Sequence, residues 1–147
     1  MPPAEKIPGT ITTVLGFDYG RKRIGIASGQ TITGTATPQC TLRQVAGNPD
    51  WDSIAEQIKQ WAPQALVVGM PYHLDGADNA MTRAVEEFCN ALKKRFRLPI
   101  YTVDERHSSS EAEAALKENR KIGQHNKHEI DKMAAAVIVQ RWLDETQ

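Results

Sequence analysis

Apolar residues along the chain fall into two kinds of stretch, short continuous runs and longer periodic ones. Val14-Leu15-Gly16-Phe17 is a continuous run and predicts a strand buried on both faces, ending at Asp18. Ile24 to Ser28, joined to it by a tight turn through Gly20, predicts the second arm of an antiparallel hairpin. The Thr-rich segment Thr35–Leu42 predicts a third strand broken at Pro38. Trp51, Ile54, Ala55, Ile58 and Trp61 recur at helical spacing, with Asn48 as the expected cap, Pro49 in the first turn and Pro63 as the stop. Ala65-Leu66-Val67-Val68-Gly69 predicts a buried strand, and the helix before it suggests a crossover from the third strand into a parallel pair.

A second helix is expected to start at Asp78 or Asn79, to present Met81, Val85, Phe88, Leu92 and Phe96, and to end before Leu98-Pro99. Ile100–Val103 predicts a fifth strand. Ser108 and Glu111 form a capping box for a helix to about Lys117. Asn126 and Glu129 repeat that pattern before a final helix, His128 to about Leu143. The order of elements predicts an α/β fold, a mixed five-stranded sheet with helices on both faces.

Composition narrows the class. The chain has 147 residues, 40% hydrophobic and 24% charged, which suits one domain with a real core. Residues 1–10, with Pro2, Pro3 and Pro8, read as a flexible leader, and 11–147 as the single domain. Eighteen basic and eighteen acidic residues cancel, so any attraction to nucleic acid must come from a local patch. Cys40 and Cys89 follow no metal-ligand spacing and read as reduced thiols, core or half-buried, of a cytoplasmic protein. No apolar run is long enough to span a membrane.

The informative residues are acids in unusual places. Asp18 ends the first strand, and Asp104 and Glu105 end the fifth. Asp131 lies inside the last helix, on the face that carries Ala134, Ala135 and Ile138. A carboxylate at the end of a buried strand must be solvated, paired or metal-bound. Functional groups gather at the carboxyl ends of parallel strands, so Asp18 and Glu105 become neighbours if the first and fifth strands lie near each other. Such a cluster needs a divalent cation, and oxygen-only ligands suit Mg²⁺ or Mn²⁺. Two such ions about 4 Å apart hydrolyse phosphodiesters without a serine or histidine nucleophile. Each acid also has an ordinary reading, Asp18 as a turn residue, Asp104-Glu105-Arg106 as a surface loop, and Asp131 as a helix-dipole partner.

Four motifs together resemble the YqgF (RuvX-like) family. They are Gly16-Phe17-Asp18-Tyr19-Gly20-Arg21-Lys22-Arg23-Ile24-Gly25-Ile26-Ala27, Val67-Val68-Gly69-Met70-Pro71 with Asp75-Gly76, Asp104-Glu105-Arg106, and Ile130-Asp131-Lys132-Met133-Ala134-Ala135. They occur in the family's order between about residue 12 and 144. The resemblance implies a ribonuclease H-like nuclease, known as a Holliday-junction resolvase and linked to maturation of the 5′ end of 16S ribosomal RNA. It carries metal-binding and catalytic roles onto Asp18, Glu105 and Asp131, with Asp104 a lesser candidate because alternate strand residues point to opposite faces. Two positions depart from the family pattern. His107-Ser108-Ser109 replaces a hydrophobic residue and two threonines, and His73 or Leu74 replaces an asparagine.

Arg21, Arg23 and Arg106 stand beside these acids as candidate phosphate contacts, with Lys22 also able to act as a solvated charge. Lys121 and Lys127, in a basic stretch with Arg120, His125 and His128, are further candidates for closing on a substrate. Trp51 and Trp61 fit packing better than base stacking. The expected partner is precursor ribosomal RNA or branched DNA, and a homodimer would favour the latter because a junction needs two cuts. Two other classes compete: a nucleotide-binding phosphotransferase built on the Asp-x-Gly hairpin, and a non-catalytic RNA-binding factor. The chain is short for a phosphotransferase, which needs two such domains around a cleft.

Overall fold

The computed structural model describes residues 11–71, 80–104 and 127–146, with side chains from 129 in the last segment. Strands β1 (Thr13–Tyr19) and β2 (Arg23–Gln30) form the antiparallel hairpin, and β3 (Thr35–Arg43) continues it. Helix α1 (Trp51–Trp61) leads to β4 (Ala65–Met70), α2 (Ala80–Phe96) to β5 (Ile100–Asp104), and α3 (Lys127–Thr146) follows. The sheet order is β3-β2-β1-β4-β5, with β1, β4 and β5 mutually parallel. Phe17 is level with Val68, and Val68 with Thr102, so the carboxyl ends of these three strands share one edge.

The central strands are covered on both sides, which is why they read as continuous apolar runs. All six residues of β4 are buried. On one face Leu15, Phe17, Leu66 and Val68 pack against Ile54 of α1 and Val85, Phe88 and Leu92 of α2. Phe88 is the hub of that layer, with ring centroids 5.7 Å from Phe17, 4.9 Å from Tyr19 and 5.7 Å from Trp51. Trp51 and Trp61 both join this layer, as their spacing predicts. On the other face Val14, Val67 and Val103 pack against Ala135, Ile138, Val139 and Leu143 of α3. The expected mixed sheet with helices on both faces is present.

Several local expectations change. The strand after α1 does not pair with β3; it lies beside β1, because the crossover passes over β2 and β1 to reach the free edge of the hairpin. The cap of α1 is Asp50, whose carboxylate accepts from Ser53 N at 3.1 Å and Ser53 Oγ at 2.7 Å. Asn48 is drawn away into a two-residue turn with Val45, in which Ala46 and Gly47 take positive φ of 53° and 76°. Ala55 is exposed, one step off the buried stripe. The break near Pro38 is a bulge: Ile26 pairs with Cys40 and Ala27 with Pro38, so Gln39 is skipped. Gly20 does not take a positive φ; its Cβ would sit 2.7 Å from the Arg23 carbonyl oxygen. The last helix starts one residue earlier than expected and runs on to Thr146.

The leader, the loop from residue 72 to 76 with His73, the cap at Asp78 or Asn79, the helix from Ser108 and the basic stretch with Arg120, Lys121 and His125 lie outside the described residues. No described helix is long and apolar enough to cross a membrane.

Candidate active site at the strand ends

Asp18 is half-buried near the end of β1. Its side chain has the same parity as Val14 and Gly16, so it stands on the α3 side of the sheet. Directly across the hairpin is Gly25. A Cβ on Gly25 would lie 2.1 Å from the backbone oxygen of Asp131, so α3 rests its backbone on β2 at this point. Opposed residues of an antiparallel pair carry their Cβ atoms about 5 Å apart. The absent side chain of Gly25 therefore lets the backbone of α3 at Asp131 come down on β2 directly across from Asp18.

Two more glycines extend the contact. Cβ atoms on Gly16 and Gly29 would meet Val139 Cγ2 at 2.1 Å and Val139 Cγ1 at 2.5 Å. At both positions α3 approaches the sheet as closely as a missing side chain allows. On the helix side Ala134 and Ala135 are fully buried, which completes a seam of small residues between helix and sheet.

Asp131 is held by Arg23, whose Nε donates to Oδ2 at 2.6 Å. The two side chains are 22% and 21% exposed, partly screened from water, so each needs the other's charge. Arg23 follows Gly25's parity on β2 and reaches α3 from the sheet. The residue expected to contact phosphate is thus an ion-pair partner of the candidate ligand. Lys132 pairs one turn back with Glu129 at 3.2 Å.

Asp104 ends β5 on the opposite parity from Val103, which packs in the α3 layer. Its backbone oxygen accepts from Arg141 Nη1 at 2.6 Å, tying the end of β5 to α3. β4 separates β1 from β5, so the two strand ends are not neighbours but stand roughly 10 Å apart, two strand spacings. Glu105, Arg106 and Lys121 lie outside the described residues, as does the side chain of Lys127. Among the described residues no three histidines, cysteines or acids converge on one point. The donor set suits a hard cation all the same. Asp18 and Asp131 offer only oxygen, the donor type such a cation takes, while Arg23 occupies one oxygen of Asp131.

One basic residue was not singled out from the sequence. Arg43, at the end of β3, pairs in register with Arg23. With Arg21 and Lys22, both exposed, it lines a groove of about 460 Å³ on the β2–β3 side of the hairpin turn. The signal available was the hairpin register, but a bulge shifts it by one residue.

Comparison with known proteins agrees with this architecture. A Pseudomonas fluorescens protein provisionally named pre-16S rRNA nuclease is 45% identical over 133 residues, covering 90% of this chain and 92% of the relative. A Legionella pneumophila protein of the same name is 46% identical over 133 residues, covering 90% and 96%. Thermus thermophilus RuvC, solved in complex with a Holliday junction substrate, aligns with TM-score 0.51 at 16% identity over 86% of this chain and 91% of its own. The yeast mitochondrial Holliday junction resolvase Ydc2 aligns with TM-score 0.53 at 12% identity over 92% and 79%. These two share the ribonuclease H-like fold with the chain. The model of the RuvX family, described as Holliday junction resolvase, matches residues 12–145. With nearly its whole length matched and its strand-end acids set on that fold, the chain belongs to the RuvX family.

Proposed function

We propose that the chain is a metal-dependent endonuclease that hydrolyses phosphodiesters of structured nucleic acid and matures the 5′ end of precursor 16S ribosomal RNA. The carrying observation is the seating of Asp131 on Gly25, beside Asp18, at the carboxyl ends of parallel strands. The relatives provisionally named pre-16S rRNA nuclease support the choice of RNA.

In this reading Asp18, Glu105 and Asp131 hold Mg²⁺ or Mn²⁺, and Asp104 has the lesser role. A cation held there would supply a nucleophilic water and charge stabilisation for the leaving oxygen. The chain's own residues do the rest. Asp18 and Asp131 are presented from rigid elements, and α3 is prevented from drifting by its seam with the sheet. Arg23 fixes the Asp131 carboxylate. Arg21, Arg106, Lys121 and Lys127 are left to hold phosphates around the scissile bond. The activity belongs in the cytoplasm, where such a precursor would be met.

A second reading, cleavage of branched DNA, is favoured by the description of the family model. It would call for a homodimer, because two strands must be cut. A phosphotransferase is disfavoured, since the relatives that match over nearly their whole length carry a nuclease name. The deciding experiment offers purified protein a precursor 16S RNA and a four-way DNA junction, each with Mg²⁺, Mn²⁺ or chelator. Cleavage of the RNA alone, lost in chelator, supports the first reading. Cleavage of the junction alone supports the second, and cleavage that persists in chelator contradicts both.

A further inference from the structure

The hairpin turn and the segment after β3 form one preassembled wall. Gln44 N donates to the Lys22 carbonyl oxygen at 2.8 Å, and its side-chain Nε2 donates to the Gly20 carbonyl oxygen. Gly20 N in turn donates to the Arg23 carbonyl oxygen at 2.9 Å. Against this wall lies the groove of about 460 Å³, with Arg21, Lys22, Arg23 and Arg43 on its surface.

Four cations here call for a physical reason. The chain is neutral overall, so the cluster is not the by-product of a generally basic surface. Arg23 and Arg43 are directly opposed in the β2–β3 ladder, where like charges repel. Asp131 neutralises Arg23. Among the described residues Arg21, Lys22 and Arg43 have no carboxylate partner, and no described residue lining the groove is acidic. A bound anion would relieve their mutual repulsion. No aromatic ring lines the groove among the described residues, so it has nothing on which to stack a base. Arg23 touches both Asp131 and the groove, which makes the groove continuous with the acid pair.

We propose that this groove grips successive phosphates of the nucleic-acid strand that is cut at Asp18 and Asp131, with Arg43 as its outermost contact. The proposal rests on the nuclease reading above. β3 lies two strand spacings from β1, roughly 10 Å. A strand crossing that span would place more than one phosphate in the groove on one side of the scissile bond. Because phosphates alone are touched, the grip is independent of base sequence.

The test is equilibrium binding of the full chain, followed by fluorescence anisotropy in chelator so that no cleavage occurs. The probe is a labelled mixed-sequence RNA strand of about 20 nucleotides. On a single strand each phosphate neutralised contributes a salt slope of about 0.7, so Arg43→Ala should flatten the log–log salt dependence by about 0.7 and weaken binding several-fold near 0.1 M salt. Arg21→Ala with Arg43→Ala should flatten it by about 1.4, and Arg43→Glu should weaken binding further still. A second RNA of scrambled sequence should show the same losses. Lys59→Ala, near the far end of α1, should change neither slope nor affinity. An unchanged slope in both Arg43→Ala and the double variant overturns the proposal, as does displacement of the strand by millimolar inorganic phosphate, which marks a free-phosphate site instead. Wild-type cleavage with an unaltered Arg43→Ala slope would sink the groove and leave the nuclease reading intact. Absent cleavage with a flattened slope would do the reverse.

Discussion

Arg23 Nε and Asp131 Oδ2 lie 2.6 Å apart although 108 residues separate them in the chain. The pair joins the start of β2 to the first turns of α3. It satisfies a partly buried carboxylate with a cation that belongs to the protein. A charge-assisted hydrogen bond of this kind is worth roughly 1–3 kcal/mol when it is partly shielded from water. Arg23→Ala and Asp131→Asn should each lower the urea midpoint, and their combination should cost less than the sum by about 1 kcal/mol. Strict additivity would mean that the pair is not formed in solution.

The glycine seam makes a sharper prediction. At Gly25 the obstacle to a side chain is the backbone oxygen of Asp131, which cannot rotate away. At Gly16 it is a methyl of Val139. Gly25→Ala must displace α3 itself, at about 1–3 kcal/mol or more. A shift of about 1 Å in Asp131 would lower cleavage some hundredfold. Gly16→Ala should be rescued in part by Val139→Ala, while no side-chain trimming rescues Gly25→Ala. Thermal melts and initial rates of the three variants check this ordering.

Alkaline pH probes the other face of the sheet. Burial, then the nearby charge of Glu86, pushes the Cys89 thiol up from 9.0 to about 11. The unfolded thiol ionises first, so its contribution to stability is complete below about pH 9 and is lost as pH rises through about 11. Wild type and Cys89→Ala should therefore converge in urea midpoint over that interval. A constant difference across it would show that the thiol titrates normally. Burial likewise pushes Cys40 up, so both cysteines should react slowly with iodoacetamide at neutral pH.

Much of this architecture was legible in the residues. Runs such as Val14–Phe17 and Ala65–Gly69 announce two-sided burial, and the stripe through Val85, Phe88 and Leu92 announces a helix face. The position of β4 beside β1 was not legible, because strand order depends on where a crossover lands. Asn48 and Asp50 are equally good caps by type. The turn at Ala46 and Gly47 decides between them, and Gly47 was its only marker. The acids Asp18 and Asp131 stood out as misplaced charges. What seats α3 at Asp131 on the sheet across from Asp18 is Gly25, a residue that acts by lacking a side chain and so leaves little trace in a pattern of polar and apolar positions. Arg43 was hidden for a related reason, since its partnership with Arg23 is set by a register that the bulge at Gln39 alters.

The most direct test of the central claim is the rate of cleavage by Asp18→Asn on precursor 16S RNA in Mg²⁺ or Mn²⁺. The substitution keeps the shape of the side chain and removes its charge. The account predicts a protein that melts close to wild type and does not cleave. Cleavage at the wild-type rate by Asp18→Asn would contradict it.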